Sequence, residues 1–411
     1  MKALLIGLFA VAVLAHGAKA ARVPNPDPEQ GDGRVSAFYT WEGEIPSRPG
    51  QMLRTEPLEA RLGLSNAGQQ IRFLYSSTDG TDGKTPVVVS GEFFIPKGDP
   101  PAGGWPVAAW AHGTTGMADI CAPSWQPHPV PENDYLNVWL ARGFAIVATD
   151  YQGLGTPGPH PYQMVRAEAY SILDGIRAVL RDQPRMGNRI VVVGFSQGAG
   201  AAFAAGGFAP DYAPDLGIRG IVTTGIPNWT RDMLKAPPPE MIARIAERID
   251  PAVAYLLYIG LVAQQRDPKL PADSLVSARG MPLLDLARVS CVEAMLYNVT
   301  MAGLNRATAL VPNYRDALAR LLPDMEYPTL KLSVPVFVGI GEGDRDVPPS
   351  LQLGLSKNAC ASGTTVEAHL YRGMNHFEAM VASLKDALPF ARKVLNGEPI
   401  ASVCEPVPEQ P

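Results

Sequence analysis

One short stretch constrains this chain more than any other. Residues 190–193, Ile-Val-Val-Val, form an apolar, β-branched run of buried-strand length. Gly194-Phe195-Ser196-Gln197-Gly198 follows at once, and Gly198-Ala199-Gly200-Ala201-Ala202 continues as a small-residue, helix-forming segment. A G-x-S-x-G is a weak signal by itself in a chain with 40 glycines. Set between a strand and a helix it describes a very tight turn. The serine is held there in strained backbone, and the glycines let strand and helix approach closely. Ser196 is therefore the first candidate functional residue, and the turn calls for a sheet with helices packed beside it.

The rest of the chain agrees. Short β-rich runs lie at 71–75 and 87–95, and apolar runs at 107–111 and 144–149 have the length of buried strands. Apolar residues recur at helical spacing over 165–180, and 218–223 is another strand candidate. The expected fold class is α/β, a mostly parallel central sheet with helices on both faces. The alternation stops after Trp229. Residues 236–332 open with a proline cluster and continue as apolar helical segments, read as an inserted helical cap. Strand character returns at 334–340 and 366–371, and a last helix is expected from 376 to 395. The expected division is a leader at 1–20, an extended arm at 21–70, core at 71–235, cap at 236–332, and core with a tail at 333–411. The apolar run 253–262 is too short to span a bilayer, which takes about 20 residues. It reads as a core helix of the cap, with the further expectation that it lines an acyl pocket.

A serine hydroxyl is a weak nucleophile until a base takes its proton. After a strand–turn–helix serine the partners follow in the order acid, then histidine, from loops after later strands. Of six histidines, His16 falls in the expected leader, and His112, His128 and His160 precede the serine. His369 lies inside a strand run. His376, in Gly373-Met374-Asn375-His376-Phe377, follows that strand in a turn and is the expected base. The preceding strand ends in Gly341-Glu342-Gly343-Asp344-Arg345-Asp346-Val347-Pro348, which offers Asp344 as the acid, with Asp346 next and Glu342 behind. An oxyanion needs two backbone N–H donors. Gln197, after the serine, is one. His112-Gly113-Thr114-Thr115-Gly116 supplies the other from Thr114, with Thr115 close behind.

At this point the chain resembles the secretory lipase family of α/β-hydrolases. The resemblance covers about 72–395. It rests on Cys121-Ala122-Pro123-Ser124, Asp150-Tyr151-Gln152-Gly153-Leu154-Gly155, the 194–200 elbow, the Asp344 loop and Asn375-His376-Phe377. It implies ester hydrolysis by Ser196, Asp344 and His376 beneath a helical cap. The His-Gly-Thr-Thr-Gly loop is the departure, since fungal members of the family carry an acidic side chain near this position.

The remaining features concern compartment and partners. Met1-Lys2, an apolar run over 3–15 and Ala18-Lys19-Ala20 read as a signal peptide cleaved after Ala20, and no cysteine stands there to carry a lipid anchor. Export, to the extracellular space or a periplasm, suits disulfides. The expected pairs are Cys121–Cys291, tying cap to oxyanion loop, and Cys360–Cys404, fastening the tail. A net charge of −5 gives no basic surplus for nucleic acid, and 46% hydrophobic with 18% charged residues excludes a disordered chain. No metal or organic cofactor is implied. The expected partner is a small-molecule or lipid ester, met by a monomer with no stable membrane anchor. The competing expectation is an exported serine peptidase, which needs a cap carboxylate such as Glu247, Asp250 or Glu293 for a substrate amine.

Overall fold

The computed structural model of the chain describes residues 21–235 and 248–408. The expected leader, the first part of the cap at 236–247 with Glu247, and the last three residues lie outside the described residues. Within them one nine-stranded sheet is built from β1 (Met52–Pro57), β2 (Ala67–Thr78), β3 (Pro86–Pro96), β4 (Trp105–Ala111), β5 (Ala145–Thr149), β6 (Met186–Phe195), β7 (Ile218–Thr224), β8 (Val336–Gly341) and β9 (Val366–Tyr371). The strand order is β1-β2-β3-β5-β4-β6-β7-β8-β9. The pairs from β1 to β5 are antiparallel, and those from β5 through β4 to β9 are parallel. The helices are α1 (Val130–Ala141), α2 (Val165–Asp182), α3 (Gln197–Tyr212), α4 (Val253–Arg266), α5 (Met281–Val289), α6 (Val292–Met301), α7 (Arg306–Ala309), α8 (Tyr314–Met325), α9 (Pro349–Ala361) and α10 (His376–Asn396).

The period of two along each strand divides the sheet into two faces. Val107, Ala109, Val147, Ile190 and Val192 point to one core, which α2, α3 and α9 cover. Ala108, Trp110, Ile146, Val191 and Val193 point to the other, covered by α1 and α10. Burial on both faces is why β4, β5 and β6 read as continuous apolar runs. Among the described residues the strands and helices expected from 71 onward are present, most within a few residues of their expected ends, while α3 runs on to Tyr212, well beyond its expected small-residue segment.

Three elements escaped the sequence reading. The expected arm carries β1, in which exposed Thr55 and Pro57 alternate with half-buried Arg54 and Glu56, the pattern of an edge strand. Helix α1 buries Glu132 and Asn137, which breaks its apolar stripe. Helix α9 opens on Pro349 and closes beside the Cys360 bridge.

The cap helices α4 to α8 enclose a core of their own. Leu257, Tyr258, Leu261, Leu284, Met295 and Leu321 meet there, joined from the body by Met117, Tyr162 and Met164. Leu257 is fully buried, so the apolar run of α4 is used largely to hold the cap together. Cys121 is bonded to Cys291, at a Cα separation of 5.4 Å, and Cys360 to Cys404, at 6.0 Å. No helix among the described residues is long and apolar enough to cross a membrane.

Candidate active site

The C-terminal ends of the parallel strands gather the candidate residues. Ser196 stands between β6 and α3 with φ 54° and ψ −121°, a backbone that L residues rarely adopt. Such a conformation costs on the order of 1–3 kcal/mol and persists only where its surroundings impose it. Two glycines impose it here. A Cβ on Gly194 would stand 2.0 Å from the carbonyl oxygen of Gly198, and one on Gly198 would stand 1.9 Å from that of Ala111. Neither position admits a side chain unless backbone moves.

His376 opens α10, where the Asn375 side chain caps the helix and Glu378 closes the capping box. Its Nδ1 lies 2.7 Å from Asp344 Oδ2. Asp344 accepts, so Nδ1 carries the hydrogen, and Nε2 is left as an acceptor. The histidine also borders the elbow. Its ring packs on Phe195 with centroids 4.6 Å apart. The backbone N–H of Ser196 donates to Thr224 O at 2.9 Å, and a Cβ on the next residue, Gly225, would fall 2.5 Å from His376 Cε1. Serine and histidine thus flank the same turn at the end of β7.

The two aspartates are held differently. Asp344 accepts from the backbone N–H groups of Asp346 and Val347 on one oxygen, 2.9 Å each, and from His376 and Gln352 Nε2 on the other. Asp346 Oδ1 meets the Tyr255 hydroxyl of α4 at 3.4 Å. Burial, and the Asp344 carboxylate beside it, raise the Asp346 carboxyl above the usual range, against the pull of His376. Asp344, Asp346 and His376 bring ligand atoms within 4.8 Å of one another. The direct bond between two of them is the chemistry of an oriented base.

The loop after β4 lies against the elbow. A Cβ on Gly113 would come within 3.5 Å of Ser196 Cβ. Thr114 Oγ1 bonds the Tyr162 hydroxyl at 2.9 Å, while the Thr115 carbonyl accepts from Val292 N–H of α6 at 2.8 Å. Gly116 bridges to Cys291, so the cap disulfide is continuous with this loop. Gln197 is buried as the first residue of α3, whose N-terminal dipole favours negative charge. Its side chain reaches Glu168 Oε1 at 2.8 Å.

Of the residues singled out from sequence, Ser196, Gln197, Thr114, Asp344 and His376 therefore share one region. Two of the cap carboxylates offered for a peptidase lie among the described residues. Asp250 pairs with Arg306 at 2.9 Å, and Glu293 is exposed. Sequence reasoning missed Gln352, Tyr162, Tyr255 and Glu168. Only Glu168 left a signal, a carboxylate on the same stripe of α2 as the buried Ile172 and Val179.

A family model described as secretory lipase matches residues 132–402. Lipase A of Moesziomyces aphidis is 26% identical over 247 residues, 55% of this chain and 52% of that protein. A secreted triacylglycerol lipase of Malassezia globosa is 24% identical over 307 residues, 69% of this chain and 63% of that protein. The chain thus spans between half and two thirds of the length of these curated relatives. Candida antarctica lipase A in its closed state superposes with a TM-score of 0.71 at 21% identity, covering 91% of this chain and 89% of that one. The likeness fixes the architecture as that of the α/β-hydrolases.

Proposed function

The chain belongs to the secretory lipase family, and we propose that it is an exported carboxylic-ester hydrolase acting through a covalent acyl-enzyme on Ser196. The observation that carries this reading is the hydrogen bond from His376 Nδ1 to Asp344 Oδ2 beside a serine held in strained backbone. With Nδ1–H committed to Asp344, Nε2 accepts the Ser196 proton as Oγ attacks the ester carbonyl. Asp344 fixes that tautomer and stabilises the imidazolium that forms. The carbonyl oxygen becomes negative over the N-terminus of α3, where the backbone N–H groups of Gln197 and Thr114 receive it. The imidazolium then protonates the leaving alcohol, and a water activated by His376 releases the acid and regenerates Ser196. The substrate is a small-molecule or lipid ester, and the product leaves to the extracellular side, in keeping with the two disulfides. A fluorophosphonate should label the protein stoichiometrically, with the adduct on the peptide carrying Ser196 and none on Ser196→Ala. Labelling at another serine overturns the assignment.

The disulfide next to the oxyanion loop carries a second expectation. Breaking Cys121–Cys291 by paired Ser substitutions should lower kcat about tenfold by freeing Thr115 and Gly116, with a smaller change in KM, since preorganised donors act on the transition state. The equivalent pair at Cys360 and Cys404 should lose stability alone, roughly 2–4 kcal/mol. Urea titrations beside steady-state kinetics separate the two. Equal losses of kcat in both pairs would detach the loop from the cap bridge.

A further inference from the structure

Beneath Gln197 lies a buried polar cluster that the reaction scheme above does not use. Glu168, 1% exposed, accepts from Gln197 Nε2 at 2.8 Å and from the backbone N–H of Gln163 at 2.9 Å, both on Oε1. Its Oε2 is buried without a partner among the described residues. Gln163 itself has φ 62°, and its side chain accepts from Trp229 Nε1 at 3.0 Å. The amide nitrogen of Gln197 also lies 3.4 Å from His160 Nε2, while His160 Nδ1 sits 2.8 Å from Gln152 O. Nδ1 must donate to that carbonyl, so Nε2 is an acceptor. Both amide hydrogens of Gln197 are then assigned, one to Glu168 and one to His160. The side chain of the residue after the nucleophile is locked in place.

Resting on the ester-hydrolase reading above, we propose that Glu168 is a positioning residue that sets the alkaline limit of turnover. As the neutral acid it holds Gln197 in register. Once ionised it places a negative charge under the N-terminus of α3, against the negative charge that develops on the substrate oxygen.

The surroundings favour the acid form. Two donors serve one oxygen, and the other has none among the described residues, a poor setting for a carboxylate. Arg166, two residues earlier on α2, is spent on the carbonyls of Gly80 and Thr81. Burial pushes the Glu168 carboxyl up to about 8, against the bonds from Gln197 and Gln163 that lower it. The groups facing it from neighbouring elements do not titrate in that range. Burial takes His160 down to about 4, so it is neutral, and Tyr162 up to about 12. Tyr151 and Tyr327 are raised further still. The sign is fixed by this: the acid form holds below pH about 8, and the charge appears as pH rises through it.

The test is a pH-stat assay of a soluble short-chain ester on wild type, Glu168→Gln and Glu168→Ala. One pH unit above its midpoint a group is about 90% ionised. Wild-type kcat should therefore fall about tenfold between pH 7 and 9. Glu168→Gln keeps the acceptor oxygen and cannot ionise. It should retain most of the pH 7 turnover and stay flat to pH 9, with the acid limb unmoved. Glu168→Ala should lose about tenfold in kcat at pH 7, with KM changed less than twofold and a melting curve that remains cooperative. The proposal is overturned if wild type and Glu168→Gln share one alkaline limb, if wild type is flat to pH 9, if Glu168→Ala keeps full kcat, or if folded Glu168→Gln is as slow as Glu168→Ala. Ser196→Ala in the same titration keeps the questions apart. Turnover surviving there counts against the Ser196 reading, whereas a shared alkaline limb counts against Glu168 alone.

Discussion

Ser196→Ala should remove ester hydrolysis by a factor on the order of 10⁶ in kcat while leaving the protein folded, as expected when nucleophile, base and acid act as one unit. The structural side of this expectation is specific. The contacts that hold the turn are made by backbone: Ser196 N–H to Thr224 O, and the close approach of Gly194 and Gly198 to their neighbours. None of them depends on Oγ. Alanine and serine meet the same penalty at φ 54°, so the strain is unchanged. What disappears is the atom that bonds the acyl carbon. Substrate binding and the donors at Gln197 and Thr114 remain, and they account for whatever slow hydrolysis is left. The measurement is steady-state turnover of a p-nitrophenyl ester, with circular-dichroism melting and mass spectrometry for a trapped acyl-enzyme. A variant that melts like wild type and keeps more than a few per cent of its activity would exclude Ser196 as the nucleophile.

What the sequence disclosed of this site follows from how each residue is constrained. Ser196 was legible because strained backbone demands glycine on both sides, and glycine shows in a sequence. His376 was legible by elimination and by its place after a strand. Glu168 shows the opposite case. Its chemistry depends on Gln197 and Gln163, 29 residues later and 5 earlier, and on burial that only the packed sheet creates. In the sequence it is one acid in a helix, and only its position on the stripe of Ile172 and Val179 set it apart. Gln352 left no mark at all. Its amide reaches Asp344 because the turn ending at Pro348 folds α9 back over the acid loop. The fold followed the same rule. Buried parallel strands announce themselves by continuous apolar runs, whereas β1 at the edge alternates over only six residues and ends in Pro57.

The second large effect concerns the acid. Asp344→Asn should lower kcat by about 10⁴, the loss expected when the imidazole is held in the wrong tautomer. The hydrogen bonds show why an isosteric change is so costly here. All four bonds to the Asp344 carboxylate come from donors: two backbone N–H groups on Oδ1, and Gln352 Nε2 with His376 Nδ1 on Oδ2. An asparagine must turn its NH₂ toward one of these pairs. Facing His376, it meets Gln352 donor to donor and favours hydrogen on Nε2, which then cannot accept the Ser196 proton. Facing the backbone pair, it loses two bonds that fix the loop. Asp346→Asn has no such conflict. The carboxylate of Asp346 receives the Tyr255 hydroxyl on one oxygen, and an amide oxygen can accept in its place. Its cost should stay under about tenfold, because it leaves the tautomer of His376 untouched. Both variants need kcat measured across pH beside a melting temperature. Losses of equal size, or a larger loss at Asp346, would transfer the acid to Asp346. An Asp344→Asn variant that is merely unstable would betray itself by recovering turnover on cooling, which a wrong tautomer does not allow.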